Sequence, residues 1–160
     1  MDHADVFKAL GDGTRLRILK LICEAGESAC VCEVVDALAL PQYLVSKHLT
    51  VLRRAGLVED ERLGTWVGYQ LPADASPFHQ AIFALVQTAV TGPQFDRDRV
   101  RLRARVALRE EGRCVIGYND PQVSASLESA ERLEGLPGKA QGKGRKSTGG
   151  KENGTDSHTP

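Results

Sequence analysis

Residues 42–70, QYLVSKHLTVLRRAGLVEDERLGTWVGYQ, change their hydrophobic period part-way along, and that change decides the fold. In the first half Leu44, Val45, Leu49 and Leu52 recur at helical spacing, while Gln42, Tyr43, Ser46, Lys47 and Thr50 occupy the opposite face. Gly56 ends this helix. LVEDER and WVGYQL then alternate as strands do, joined through Leu63-Gly64-Thr65, which makes a β-hairpin.

Upstream, CEVVDALAL reads as a short helix that begins at Ser28 or Cys30, turns Val34, Val35 and Leu38 inward, and is stopped by Pro41. Two helices joined by a tight turn and followed by a hairpin form a winged helix-turn-helix. Before them, Asp12 caps a helix through LRILKLI that ends at Gly26 as a left-handed C-cap, and a shorter helix spans Asp5 to Leu10. Downstream, Pro77 opens FHQAIFALVQTAV, which is apolar on most of its circumference. Such a helix needs a partner, and a second copy of the chain is expected to supply it.

The expected fold is therefore mainly α with a β-hairpin wing (α+β), a winged helix-turn-helix made dimeric through its terminal helices. Residues 1–92 form the DNA-binding and dimerisation domain. Residues 93–123 form a helical extension with the Cys114 segment, in which the arginines from Arg97 to Arg109 alternate with acids and read as a solvated helix. Residues 124–160, dominated by Gly, Lys, Ser and Thr, read as a disordered tail.

On the exposed face of the recognition helix, Gln42 can pair bidentately with adenine and Lys47 can reach guanine or phosphate. Tyr43, Ser46 and His48 are further phosphate or base contacts, and Arg62 and Thr65 at the hairpin tip face the flanking backbone or minor groove. The chain has 160 residues and a formal net charge of zero, which argues against a non-specific DNA coat but not against a local basic face. No apolar run reaches about 20 residues, and MDHADVFKAL lacks a secretion signal's basic start and apolar core. A cytoplasmic location without membrane contact is expected, where the four cysteines stay reduced.

Two of those thiols lie one residue apart, at Cys30 and Cys32. Successive helical residues turn about 100°, so an intact helix points this pair in nearly opposite directions, whereas extended chain puts both on one side. The pair can hold one soft ion only from a helix start that is unwound, or that unwinds on binding. Ligation there reshapes the helix preceding the recognition helix, which makes the pair a switch as well as a trap. Soft thiolates select soft, thiophilic ions over magnesium or calcium.

DVFKALGDGTRLRIL and CVCEVVDALALPQYLVSKHLTVLRRAGLVEDERLGTWVGYQL together resemble the ArsR/SmtB family of winged-helix metalloregulatory repressors. The likeness rests on Thr14-Arg15-Leu16, Ser46-Lys47-His48-Leu49, Gly56-Leu57-Val58 and the hairpin from Gly64 to Tyr69, over about residues 5 to 90. It implies a homodimer that binds double-stranded operator DNA without a cofactor and leaves it when an inducer binds. A CVC at this position is similar to the arsenic-sensing branch, so the implied inducer is arsenite or antimonite, As(III) or Sb(III).

Trivalent arsenic takes three thiolates in a pyramid. One arsenic-sensing variant has its third cysteine where this chain has Val35: Cys114, from its own or the partner subunit, is the expected ligand beside Cys30 and Cys32, with Cys23 as the alternative, or two thiols alone with hydroxide completing the shell. A cadmium or lead sensor would draw further cysteines from the N-terminal arm, which has none. The family's intersubunit Asp/His zinc site would need more histidine than His79, with Asp74 before it. Other readings are a thiol-based redox-sensing repressor of the same fold and a structural zinc on Cys23, Cys30 and Cys32. An enzyme is not expected: there is no phosphate-cradling glycine loop or Ser/His/Asp grouping, and thiol oxidoreductases favour C-x-x-C spacing.

Overall fold

The computed structural model describes residues 2–136. Its elements are α1 (His3–Leu10), α2 (Gly13–Ala25), β1 (Ala29–Cys30), α3 (Val31–Leu38), α4 (Gln42–Arg54), β2 (Glu59–Leu63), β3 (Trp66–Gln70), α5 (Pro77–Ala89), α6 (Pro93–Val106) and α7 (Pro121–Leu133). Among the described residues no helix is long and apolar enough to cross a membrane.

Local chemistry sets the helix ends. The Asp12 carboxylate accepts from the Arg15 amide at 3.0 Å and caps α2, which closes on Gly26 at φ +69°. Ala39, at φ +53°, makes the tight turn between α3 and α4. Ser76 and Asp120 cap α5 and α7, each followed by a proline whose missing amide costs the first helical turn nothing.

The apolar faces converge on one core: Ile18, Leu19 and Leu21 from α2, Val34, Val35 and Leu38 from α3, Val45, Leu49 and Leu52 from α4, and Ile82, Phe83 and Val86 from α5. Each large aliphatic side chain removed from water contributes roughly 1.5–3 kcal/mol, so this shared core orients α3 and α4 on a common base. α6 adds Leu102 to it.

The hairpin is one strand larger than expected. The sheet order is β1-β3-β2, all antiparallel, with Cys30 opposite Gly68 and Leu63 opposite Trp66. Gly68 is what permits the extra strand, because a Cβ there would sit 2.1 Å from Ser28 Oγ. Its bare backbone lets the chain entering α3 lie against the wing, and this places Cys30.

Two expectations are corrected. The arginine run is not one solvated face: Arg103 stays exposed and Arg99 meets only the surface Asp96 at 2.9 Å, but the other four turn inward. Arg97, Arg101, Arg105 and Arg109 recur every four residues and turn toward α3 and α7, where acids meet them: Glu131 for Arg97 and Arg101, Asp36 for Arg105, Glu33 for Arg109. The disordered tail does not begin at Ser124, since α7 runs through that position and buries Val123 and Leu127. Its Glu131 accepts from Arg101 at 2.5 Å and from Arg97 at 3.2 Å, which ties it down to α6. The rest of the expected tail, from residue 137 onward, lies outside the described residues.

Candidate functional site

α3 enters from strand geometry. Cys30 is its N-cap, with φ −67° and ψ 149°, and belongs to β1, while Cys32 is already helical. The extended residue at the helix start removes the opposition that a continuous helix would impose on the pair. The Cys30 amide donates to the Glu33 carboxylate at 2.8 Å, and Glu33, fully buried, is gripped by Arg109 through both oxygens at 2.7 and 2.8 Å.

Cys114 arrives from the loop between α6 and α7. Its sulfur lies 3.0 Å from that of Cys32, and the thiols of Cys30, Cys32 and Cys114 all fall within 4.8 Å of one another. All three are buried, with Trp66 of β3 packed against them. Among the described residues this is the single cluster of three or more ligating side chains. Cys23 is outside it, buried in the main core on α2, and that burial pushes its thiol up to about 12. His79 is engaged elsewhere, its Nδ1 2.8 Å from Ser76 Oγ and its Nε2 3.2 Å from the Ala55 carbonyl.

The trio is unequal. Hydrogen bonds from the Cys30 and Cys32 thiols, and the Arg105 guanidinium behind them, hold Cys114 far below the ordinary thiol value of 9.0. The same bonding to Cys114 raises Cys30 to about 12 and Cys32 further still. Arg105 is itself fully buried, with Nε on Asp36 Oδ2 at 2.8 Å, Nη2 3.9 Å from Cys114 Sγ, and a hydrogen bond to the Ile116 carbonyl.

Such a donor set fits a soft ion. Three sulfurs bonded to one centre at roughly 2.3 Å lie within about 4.6 Å of each other, so the observed cluster needs only small adjustment. No carboxylate belongs to it.

The residues expected to face DNA divide. Tyr43, Lys47, Arg62 and Thr65 are exposed, as is Gln42, whose Nε2 donates to Ser46 Oγ at 2.9 Å. His48 differs from expectation. Its side chain is only 12 % exposed and its Nδ1 is 3.9 Å from Asp12 Oδ1, so it faces the start of α2 rather than open solvent. It sits one residue after Lys47, and about 100° of helical rotation carries it off the outward face. Arg53, one turn beyond, is paired with Asp60 of β2 at 2.9 Å and ties the wing to α4.

Residues 12–60 match the family described as bacterial regulatory protein, arsR family. The chain is 49% identical over 71 residues to an uncharacterised HTH-type transcriptional regulator of Methanocaldococcus jannaschii, covering 44% of this chain and 79% of that one. It is 52% identical over 66 residues to the arsenic resistance transcriptional regulator ArsR1 of Pseudomonas putida, covering 41% and 51%. Against the arsenical resistance operon repressor of Escherichia coli it is 47% identical over 66 residues, covering 41% and 56%. The chain thus spans about half the length of the latter two. With its helix-turn-helix, its wing and these relatives, the chain belongs to the arsR family of bacterial regulatory proteins, DNA-binding transcriptional regulators rather than enzymes.

Proposed function

We propose that the protein is a metalloid-responsive repressor: a homodimer that holds operator DNA and is released when As(III) or Sb(III) takes the thiolates of Cys30, Cys32 and Cys114. The observation that carries this reading is the convergence of three buried sulfurs, two at the start of the helix before the recognition helix and one from outside the matched region. The names of the Pseudomonas putida and Escherichia coli relatives point to the same ligand class. With arsenous acid the chemistry balances simply: three S–As bonds form, three As–O bonds break, and the three thiol protons leave with the hydroxides as water.

Charge favours a trivalent centre. Three thiolates around As(III) or Sb(III) are neutral, whereas around cadmium or lead they carry one net negative charge. Arg105 is already neutralised by Asp36, and a further buried charge costs several kcal/mol, on the order given for ions taken out of water.

Gln42, Tyr43, Ser46 and Lys47 of α4 read the major groove, and Arg62 and Thr65 of the wing hold the flanking backbone. Dimerisation uses the outer face of α1 and α5, where Phe7 and Leu85 are 57% and 55% exposed and Phe7 meets Phe78 edge-on at 5.9 Å. Residues 1–92 carry these functions, and residues 93–123 supply the third thiol.

X-ray absorption of the arsenite-loaded protein tests the site. Three sulfur neighbours per arsenic support it, and an arsenic bound only to oxygen contradicts it. The 3.0 Å between Cys32 and Cys114 also favours a second input, in which peroxide joins the two sulfurs and is reduced to two waters. Release of operator by peroxide but not by arsenite would install that reading in place of the first.

A further inference from the structure

Cys32 and Asp36 are four residues apart on α3 and so share one helix face. The loop from Cys114 to Asn119 grips that face twice. Cys114 Sγ lies 3.0 Å from Cys32 Sγ, and the Asn119 amide donates to Asp36 Oδ1 at 2.9 Å. Arg105 braces both attachments, with one edge on Asp36 Oδ2 and the other against Cys114 Sγ and the Ile116 carbonyl. Its remaining nitrogen, Nη1, is buried without a hydrogen-bond partner.

Asp36 stands in the last turn of α3, directly before the turn into the recognition helix. That turn is held from the same side: Arg101 donates to the carbonyls of Asp36 at 2.7 Å and Ala37 at 2.9 Å, and Arg17 to that of Leu38 at 3.3 Å. Three successive carbonyls at the end of α3 therefore hang on arginines from α2 and α6. A displacement of Cys114 moves the loop, the loop moves Asp36, and Asp36 moves the end of α3 that orients α4. The other route from the thiols to DNA is through Trp66 and the wing.

We propose that the Asp36–Arg105 pair is the link by which ligation at the thiols reaches the recognition helix, so that both are positioning residues of the response. This rests on the thiol site proposed above. Coupling of this kind changes affinity by roughly 5–150-fold, and it disappears when the two-state element no longer feels the ligand.

The test uses the full chain, sodium arsenite, and a labelled DNA duplex that the wild-type protein has selected from a random pool. Trp66, the one tryptophan and a neighbour of the thiols, reports arsenite occupancy by its fluorescence, and DNA anisotropy reports binding separately. Asp36→Asn is expected to bind arsenite and, without arsenite, DNA as the wild type does, yet to lose at least about tenfold of the wild-type change in DNA affinity on arsenite addition. Arg105→Lys, which keeps the charge and loses the fork, decides in the same way if Asp36→Asn fails to fold. Full arsenite-driven release from the folded variant overturns the link and favours the wing. Weakened DNA binding without arsenite, with the arsenite response intact, also overturns it, because the pair is then only structural. A wild type whose Trp66 ignores arsenite overturns the thiol site itself.

Discussion

Cys32 and Cys114 stand 82 positions apart in the chain, and their sulfurs lie 3.0 Å apart in the fold. The partner of a thiol at the start of α3 thus comes from beyond the segment that matches the family, which ends at residue 60. If Cys114 is the third ligand, as proposed above, the C-terminal segment takes part in the response. Replacing Cys114 by serine should weaken arsenite binding at least about 100-fold, since losing even an outer partner of a ligand costs roughly 10–100-fold. DNA affinity without arsenite should stay unchanged. Isothermal titration with arsenite and operator anisotropy measure the two separately.

Glu33 ties the same site to the segment that follows α6. It accepts the Cys30 amide and both arms of Arg109 while fully buried. Glu33→Ala leaves Arg109 with only the exposed Glu27 carboxylate and the Ser28 carbonyl, and should cost up to about 3 kcal/mol of stability, the low end for a broken buried pair. Urea unfolding followed by circular dichroism checks this, with the midpoint moving and the slope unchanged.

The anchoring of α7 should depend on pH. Burial alone would raise the carboxyl of Glu131, but Arg101 and Arg97 outweigh it and leave the group below its ordinary value of 4.5. A carboxyl lowered by folding contributes stability above its unfolded value and loses it as pH falls through the folded one. Thermal melting should therefore fall more steeply below about pH 4.5 in the wild type than in Glu131→Gln, which is less stable at neutral pH but flatter toward acid.

On the DNA face, Gln42→Ala should relax base preference by about 1–3 kcal/mol. Lys47→Ala should weaken binding across sequences and lower the salt slope by about one. His48→Ala should change base preference far less than Gln42→Ala, because His48 is turned toward Asp12. Selection of duplexes from a random pool, with titration at several salt concentrations, separates the three.

Leu85→Glu places a charge on the exposed face of α5, where Leu85 is open in the single chain. If that face joins two copies, sedimentation should show the variant as a monomer at concentrations where the wild type is a dimer, with operator affinity falling in step.

Much of this architecture was legible from short-range signals. Asp12 and Gly26 bound α2, and the helical spacing of Val45, Leu49 and Leu52 marks the buried side of α4, because capping and amphipathic burial are local in sequence. The inward turn of Arg105 was not legible in the same way. A charged helix reads as solvated unless its acids are placed opposite, and here they sit on α3 and α7. The four-residue recurrence of Arg97, Arg101, Arg105 and Arg109 was the available signal, with Glu33 and Asp36 on an otherwise apolar helix as its counterpart. α7 was masked by composition, though Asp120, Pro121, Val123 and Leu127 carry a cap and one apolar stripe. β1 is two residues long and depends on Gly68 across the sheet, so no local periodicity could announce it. For the thiols, Cys30 and Cys32 were readable from spacing, whereas the position of Cys114 follows from a loop held by Arg105 and Asp36, a tertiary fact.

The most direct measurement of the central claim is the anisotropy of labelled operator bound to wild-type protein, titrated with arsenite. We expect release complete at one arsenite per chain and absent in the Cys32→Ser variant. Operator that stays bound at saturating arsenite, or is released equally well from Cys32→Ser, would contradict the claim that these three thiols are the switch.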